Sequence, residues 1–366
     1  MVKRYYTCRF LKENGKRQYE LFLNKFLTSK YKLKKSSLMT SFLFFSSRGG
    51  YYKYMVDAVL AEPNTKVFQP ITNRIALCLY RLHFAWPMNK YIELPFKRIW
   101  FKRLLKGMDV NKDDSVYVIM NENSLLSYSQ SFLTHLKKVY PGCKICFFFS
   151  NPVDSYILPK LSCVDSFYDA KITFFEEDAL KYGLEYTELC PYKLPYIENV
   201  AEIKSDVFFV GRDKGRLDFL INLYENLTSK GLVCDFNIMG VKEVDMKYND
   251  KIKYNRWMKY DEVLRHVNST RCVLEVLQDM KNYVSIKTYE SLQYHKKLIT
   301  TNSTIEQRAY YNPKIIKIVS DPSEDICDFV FSNTDENEFS DGIKYTSFKY
   351  FESYIEALFQ KKGYEK

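Results

Sequence analysis

A strand that runs directly into a turn of glycines and cations is the most chemically informative segment of this 366-residue chain. Residues 206–216 are DVFFVGRDKGR, and a helix with leucines on one face is predicted to follow. Such a turn presents backbone N–H groups and cations at the carboxyl edge of a sheet, where open α/β folds bind phosphorylated ligands. The pattern nominates Gly211, Arg212, Lys214 and Arg216 as phosphate-side residues.

A second segment of the same kind lies at residues 272–302. Its pattern predicts a buried strand over 273–277, a loop from Gln278, a helix over 286–297 and a further strand over 298–301. Ser285 is a candidate N-cap, so the helix would begin with unpaired N–H donors and the positive end of its dipole.

The start of this predicted helix combines a cation with a carboxylate. Lys287 lies in the first turn beside Thr288, and Glu290 follows three residues later on the same helix face. A cation and free amides suit a diphosphate, while the carboxylate can accept hydrogen bonds from ribose hydroxyls. The alternative is a capped surface helix with an ordinary Lys–Glu pair.

Four segments in order, VFFVGRDKGR, LEVLQ, SIKTYESL and KKLITTN, resemble the nucleotide-sugar half of GT-B glycosyltransferases. The closer resemblance is to bacterial capsule, O-antigen and lipopolysaccharide biosynthesis enzymes. Residues 166–186 are similar to the last strand and helix of the N-terminal domain in that group. The resemblance implies that Gly211, Arg212 and Lys287 face the donor pyrophosphate and that Glu290 faces the ribose, with Gln278 and Thr288 nearby.

Two departures from the family pattern leave the mechanism open. The loop that is usually glycine-rich before the helix is Asp279-Met280-Lys281-Asn282-Tyr283, so its backbone would approach the phosphates less closely. Asn282 stands where the large retaining branch has a Glu. The alternatives to a glycosyltransferase are an inactive nucleotide-sugar-binding protein or another GT-B enzyme, such as an epimerase or a non-glycosyl transferase.

Length and a hydrophobic content of 46% suit two domains, and we expect an α/β, GT-B fold with two Rossmann-like doubly wound domains facing a central cleft. The predicted divisions are a basic extension (1–35), an acceptor-side domain (36–190), a linker (191–203), a nucleotide-sugar domain (204–347) and a C-terminal helix that crosses back (348–366). Strands are expected over 38–45, 67–69, 115–120 and 144–149. A helical region is expected over 71–106, with a break at Pro87.

The acceptor should contact residues that follow strand ends in the first domain. This rule nominates Arg48, Gly49, Gly50, Asn121 and Asn151. Glu122 is the first candidate for a catalytic base and Asp154 the second, with a loop residue or helix cap as the alternative for each. The sequence has no carboxylate cluster with metal spacing, so we expect no metal and no cofactor, with cations stabilising the leaving diphosphate.

The net charge of +11 is concentrated in two segments. Residues 1–35 hold eleven bases and two acids, and residues 95–108 hold five bases and no acid. The second segment has the pattern of a helix lying in lipid headgroups. The residues of this predicted membrane contact are Lys97, Arg98, Trp100, Phe101, Lys102, Arg103 and Lys106. The alternative is a domain helix whose apolar face packs on the sheet.

Several classes of protein do not fit the chain. The nine cysteines lack disulfide or zinc spacing, which indicates reduced thiols. No apolar run approaches a membrane span, the first residues are too polar for a secretion signal, and no nucleic-acid motif is present. We therefore expect a cytoplasmic protein, attached peripherally to the inner face of a bacterial membrane. Its expected partners are a nucleotide-sugar donor, a glycan or lipid-linked glycan acceptor and an anionic membrane surface.

Overall fold

The computed structural model of the protein describes residues 40–45, 52–68, 71–111, 114–195, 202–278 and 283–364. The predicted basic extension, the loop with Arg48, Gly49 and Gly50, and residues 279–282 lie outside the described residues. Two sheets, each of six parallel strands, organise the rest.

The first sheet has the strand order β2-β1-β3-β4-β5-β6. Its strands are β1 (Thr40–Phe45), β2 (Thr65–Val67), β3 (Ser115–Asn121), β4 (Lys144–Phe149), β5 (Ala170–Thr173) and β6 (Glu185–Tyr186). The helices of this domain are α1 (Tyr52–Leu60), α2 (Arg74–Phe84), α3 (Trp86–Asn89), α4 (Arg98–Leu104), α5 (Gln130–Val139), α6 (Leu158–Ser162) and α7 (Glu176–Tyr182). Runs such as KICFFF in β4 are almost wholly buried, as expected for a parallel sheet covered on both faces.

The second sheet has the order β12-β11-β10-β7-β8-β9. Its strands are β7 (Ser205–Arg212), β8 (Cys234–Met239), β9 (Lys253–Tyr254), β10 (Thr270–Glu275), β11 (Lys297–Thr300) and β12 (Ile316–Ile318). Its helices are α8 (Leu217–Ser229), α9 (Tyr260–Asn268), α10 (Ile286–Gln293), α11 (Cys327–Phe331) and α12 (Ser340–Ile343). Numbered within the domain, the order is that of the dinucleotide-binding fold. Together, the two doubly wound sheets confirm the predicted fold class.

The last helix, α13 (Phe348–Tyr364), packs on the first sheet rather than the second. The ring of Phe348 lies 5.6 Å from that of Phe42, and Phe351 contacts Phe44 and Phe148 at 6.5 and 6.2 Å. These rings are buried, so the end of the chain completes the core of the first domain. The chain therefore returns from the second domain to the first at its last helix.

The predicted helical region 71–106 is divided into α2, α3 and α4. The break falls at Ala85, whose backbone is extended, and Pro87 occupies the first turn of α3. Proline fits there because the first N–H groups of a helix have no partner within it. The predicted break at Pro87 is therefore displaced by two residues, and residues 90–97 between α3 and α4 are not helical.

The predicted lipid contact of Lys97, Trp100 and Phe101 is wrong. Trp100 and Phe101 are buried in the core of the first domain, with the Phe101 ring 5.2 Å from that of Phe132. Lys97 is also buried and pairs with Glu93 at 2.7 Å. The apolar face of α4 packs on the domain because the core there is built from large aromatic side chains.

The remaining members of the predicted membrane contact are the bases on the outer face of α4 and just beyond it. Arg98, Lys102, Arg103 and Lys106 are exposed. Within the described part of the chain, no helix is both long enough and apolar enough to cross a bilayer.

Truncating Phe351 to alanine should destabilise the protein by about 3 to 5 kcal/mol, because a fully buried ring between helix α13 and the first sheet is lost. Urea unfolding monitored by circular dichroism measures this change. Lys349→Ala, on the exposed side of the same helix, is the control and should change stability by less than about 0.5 kcal/mol. If Phe351→Ala lowered the free energy of unfolding as little as the control does, the packing of this ring on the first sheet would be contradicted.

Candidate functional site

The second sheet has a topological switch point between β7 and β10, where the strand order changes direction. Ligands of open α/β sheets bind outside the carboxyl ends of the strands at such a point. Gly211 and Arg212 end β7, and Glu275 ends β10 with Gln278 shortly after it. The predicted donor-side residues therefore flank the switch point of their sheet.

Arg216 connects the ends of these two strands. Its guanidinium donates to the carbonyl of Arg212 from Nη2 at 2.8 Å and from Nε at 3.1 Å, and Nη1 donates to the carbonyl of Val276. A Cβ added at Gly211 would lie 2.9 Å from Arg216 Nη2, so a larger residue there would displace the end of the Arg216 side chain. Arg216 thus shapes the floor of the turn, while Arg212 and Lys214 are exposed beside it.

The start of helix α10 is held by Glu275, a fully buried carboxylate that the sequence analysis did not single out. Its Oε1 accepts from the hydroxyl of Ser285 and from that of Thr288 at 3.2 Å, and its Oε2 accepts from Thr300 at 2.5 Å. Ser285 also caps the helix by accepting from the N–H of Lys287 at 3.2 Å. The available sequence signal was an acidic residue among the apolar residues of CVLEVL (272–277), at the point where strand β10 ends.

These contacts assign Thr288 to the support of the helix. Its side chain is fully buried and its hydroxyl donates to Glu275. The N–H groups of Lys287 and Thr288 are both bonded to Ser285, so the helix start offers a ligand the positive end of its dipole rather than these two donors.

Lys287 lies against two aromatic rings at the end of β7. Its Nζ is 5.7 Å from the ring centre of Phe209 and 6.0 Å from that of Phe208. Arg216 lies over the same Phe209 ring at 5.5 Å, so the two cations share one site. Among the residues that the structure describes, no carboxylate forms an ion pair with Lys287. Burial lowers the pKa of Lys287, against the opposing attraction of Glu290 and Glu275.

Glu290 lies one turn further along α10 and is fully buried. The hydroxyl of Tyr260 donates to its Oε1, whereas Oε2 has no hydrogen-bond partner among the described residues. Burial raises the pKa of Glu290, and the nearby Lys287 and the bond from Tyr260 oppose that rise. A buried carboxylate oxygen without a donor is uncommon in a folded protein, which makes Oε2 of Glu290 a candidate acceptor for a ligand hydroxyl.

A chain of tyrosines joins this carboxylate to the first domain. The hydroxyls of Tyr260 and Tyr192 are hydrogen-bonded to each other, and the ring of Tyr54 from helix α1 lies 5.5 Å from that of Tyr260. The Tyr54 hydroxyl donates to Asp261 in helix α9. Burial raises the pKa of each of these phenols, so all three remain neutral donors. The position of Glu290 therefore depends on residues from both domains.

On the first domain, the candidate base Glu122 lies in a polar cluster at the carboxyl ends of β3 and β4. Its carboxylate accepts from the backbone N–H of Ser150 at 3.1 Å, from the Ser150 hydroxyl at 2.5 Å and from Asn151 Nδ2 at 2.7 Å. Tyr52, from the start of α1, shares a hydrogen bond of 2.6 Å with the same serine hydroxyl. The structure thus brings Glu122 and Asn151 together.

Asn121 and Asp154, the other nominated residues that the structure describes in this domain, have structural contacts. Asn121 is buried at the end of β3 and accepts from the N–H of Asn123 at 3.2 Å. Asp154 accepts from the N–H groups of Tyr156 and Ile157 at 2.9 and 2.8 Å, which is the geometry of a turn cap. Of the two candidate bases, Glu122 is therefore the one surrounded by side chains that could also bind a hydroxylated ligand.

Comparison with known proteins finds no matching family model and no significant match among curated proteins. Among solved structures, the chain is similar to LpCGTa in complex with UDP (13% identity, 87% of this chain and 99% of that one, TM-score 0.42). It is also similar to an alpha-glucosyltransferase in complex with UDP and a mismatched DNA 13-mer (10%, 90% and 94%, 0.43). A third is the glycosyltransferase SnogD from Streptomyces nogalater (10%, 84% and 95%, 0.39). TM-scores this low do not establish a shared function.

Replacing Lys287 by methionine should stabilise the protein at neutral pH, because burial disfavours the ammonium and no carboxylate of the described residues forms an ion pair with it. The lowered pKa means that the folded state binds fewer protons than the unfolded state at alkaline pH, so wild-type stability rises there. The advantage of Lys287→Met should therefore shrink as the pH approaches the ordinary lysine pKa of about 10.4. Urea unfolding of the variant and of wild type, at neutral pH and at about pH 10, measures this difference in the free energy of unfolding.

The matched control is Lys214→Met, in the exposed turn near the same site. It should leave stability nearly unchanged at either pH. A Lys287→Met variant that is less stable than wild type at neutral pH would contradict this account of the lysine.

Proposed function

We propose that this protein is a glycosyltransferase that takes a sugar from a nucleoside-diphosphate donor bound at the carboxyl edge of the second sheet. One observation carries the proposal: at Lys287 and Glu290, one helical turn apart, lie a partly buried lysine and a buried carboxylate oxygen. Among the residues that the structure describes, the lysine has no ion pair and the oxygen has no donor. Both groups project from the start of a helix at a topological switch point. This combination matches a ligand that carries phosphate beside a sugar diol.

In the proposed chemistry, the acceptor hydroxyl oxygen bonds to the anomeric carbon and gives its proton to a base, while the bond between the anomeric carbon and the diphosphate oxygen breaks. Negative charge develops on the departing diphosphate, and the positive end of the dipole of helix α10 together with Lys287 would stabilise it. The free oxygen of Glu290 would accept a hydrogen bond from a ribose hydroxyl and fix the nucleoside. Arg212 and Lys214, exposed on the neighbouring turn, would add positive potential.

The proposed acceptor is a glycan growing on a lipid carrier, for a bacterial surface polysaccharide at the inner face of the membrane. The resemblance of the donor-side segments to capsule, O-antigen and lipopolysaccharide enzymes supports this choice. Glu122 is the proposed base for the acceptor hydroxyl, because Tyr52, Ser150 and Asn151 surround it with groups that bind hydroxyls. Its removal should abolish transfer while leaving donor binding intact.

The donor site is tested by isothermal titration calorimetry with UDP, GDP, ADP, CMP and dTDP. We expect one nucleotide to bind selectively, and Glu290→Gln to weaken that binding by about tenfold to a hundredfold, the value of a hydrogen bond to a charged group. Glu225→Gln, about two turns into helix α8, is the matched control and should bind as wild type does. Failure of all five nucleotides to bind folded protein would refute the proposal.

Turnover separates a glycosyltransferase from a protein that only binds nucleotide sugars. Slow hydrolysis of the matching nucleotide sugar without acceptor, lost in Glu122→Gln but not in a control such as Glu177→Gln, would support transfer. Tight binding with no release of nucleotide under any condition would favour the inactive binder instead.

We also propose that donor binding needs no metal ion, because the helix amides and Lys287 supply the positive charge. Removing divalent metal with EDTA should change the affinity for the selected nucleotide by less than about twofold. The same titration in the presence of Mg²⁺ is the comparison. Binding that is lost in EDTA and restored by Mg²⁺ would contradict a metal-independent site.

A further inference from the structure

Helix α2 has apolar side chains on two opposite faces. Tyr80 and Phe84 face the core of the first domain. On the outer face, Ile75, Leu79 and Leu82 are 73%, 55% and 53% exposed. Their spacing of four and three residues places them in one stripe along the helix. A globular helix normally presents polar residues to water on this face, so the stripe requires an explanation.

Large apolar side chains continue beyond α2 into the segment that leads to α4. Those that are exposed are Met88, Tyr91, Ile92, Phe96 and Ile99. Phe96 is 79% exposed and has a backbone φ of 63°, in the left-handed region that a bulky residue rarely adopts. Strained backbone of this kind persists only where the surrounding structure holds it, and it is concentrated at binding sites and switch regions.

The two groups of side chains belong to one packed unit. The ring of Trp100 in α4 lies 5.6 Å from that of Tyr80 in α2, and its Nε1 donates to Nδ1 of His83 at 3.0 Å. Nε2 of His83 then donates to the carbonyl of Pro95 at 2.7 Å, which fixes the segment before α4. Because the inner faces of α2 and α4 share one core, their outer faces lie on the same side of the domain.

We call this side the α2–α4 surface. It is defined by the exposed apolar residues Ile75, Leu79, Leu82, Met88, Tyr91, Ile92, Phe96 and Ile99. Its exposed charged side chains within residues 71–108 are all basic. The exposed bases are Arg74, Arg81, Lys90, Arg98, Lys102, Arg103 and Lys106. Glu93 is the only acid between residues 71 and 108, and it is neutralised by buried Lys97.

We propose that the α2–α4 surface docks on an anionic lipid bilayer, with its apolar side chains in the interface and its bases on the lipid phosphates. Apolar side chains surrounded by Lys and Arg are the combination that binds anionic interfaces. A second copy of the chain fits less well, because two such surfaces would bring like charges together. The docking deepens the proposed function, since a lipid-linked acceptor would be met at that interface.

This docking differs from the predicted contact of residues 95–108. The predicted apolar row, with Trp100 and Phe101, packs inward, and the bilayer would meet the opposite faces. Ile99 is the exposed apolar residue of α4, and Arg98, Lys102 and Arg103 accompany it on that helix.

The test is sedimentation of the full chain with vesicles of phosphatidylcholine alone or with added phosphatidylglycerol, at low and high salt. We expect binding to anionic vesicles that weakens with salt. The triple variant Ile75→Gln, Leu79→Gln and Leu82→Gln should bind them about tenfold more weakly or worse, because three apolar side chains no longer enter the interface. Circular dichroism and thermal unfolding check that the variant is folded.

Two further variants complete the design. Val244→Gln with Trp257→Gln removes exposed apolar residues of the second domain and should bind as wild type does. Arg98→Gln with Lys102→Gln and Lys106→Gln should lose the preference for anionic over neutral vesicles, because it removes the charges that face the lipid phosphates.

Several outcomes would overturn the docking proposal. Equal vesicle binding by the triple variant and wild type would assign the binding to another part of the chain, residues 1–39 included. Failure of wild type to bind anionic vesicles at low salt would also overturn it. A wild type that is dimeric, with a triple variant that is monomeric, would overturn it too, because a second copy of the chain would then cover this surface. Nucleotide titration of the same samples separates the two proposals. Selective nucleotide binding without vesicle binding would leave only the glycosyltransferase proposal, and vesicle binding without nucleotide binding would leave only the docking proposal.

Discussion

The candidate site depends first on one buried carboxylate. Glu275 ends the central strand β10 and accepts hydrogen bonds from the hydroxyls of Ser285, Thr288 and Thr300. These bonds hold the first turn of helix α10 against two neighbouring strands, so the amides and Lys287 are fixed relative to the switch point. A charge in the sheet interior is tolerated only because its oxygens are supplied with donors.

The second constraint is the junction between the domains. Glu290 is reached from the first domain through neutral tyrosines, and Arg308 of the second domain pairs with Glu188 near the linker. Helix α13 adds aromatic packing on the first sheet. The surroundings of Glu290 therefore include residues of both domains. The polar cluster at Glu122, in contrast, is built within the first domain alone.

Much of the fold was predictable because local pattern and final environment agree. Strand 144–149 was predicted with the bounds that the structure has, since a run that is apolar after its first residue suits a doubly covered parallel sheet. The cap at Ser285 was also predictable from residue type. Residues 95–108 were not, because an amphipathic pattern shows that a helix has an apolar face without showing whether protein or lipid covers it.

The sequence by itself determined the succession of strands and helices, the cations and carboxylate at one helix start, and the concentration of positive charge. These features depend on neighbours within a few residues. Only the tertiary structure decided that Arg216 binds strand carbonyls, that Glu275 supports the helix and that Tyr260 occupies one oxygen of Glu290. It also turned the apolar stripe of α2 outward. Each of these outcomes joins residues far apart in the chain, and such contacts are set by how the sheets and helices pack rather than by local spacing.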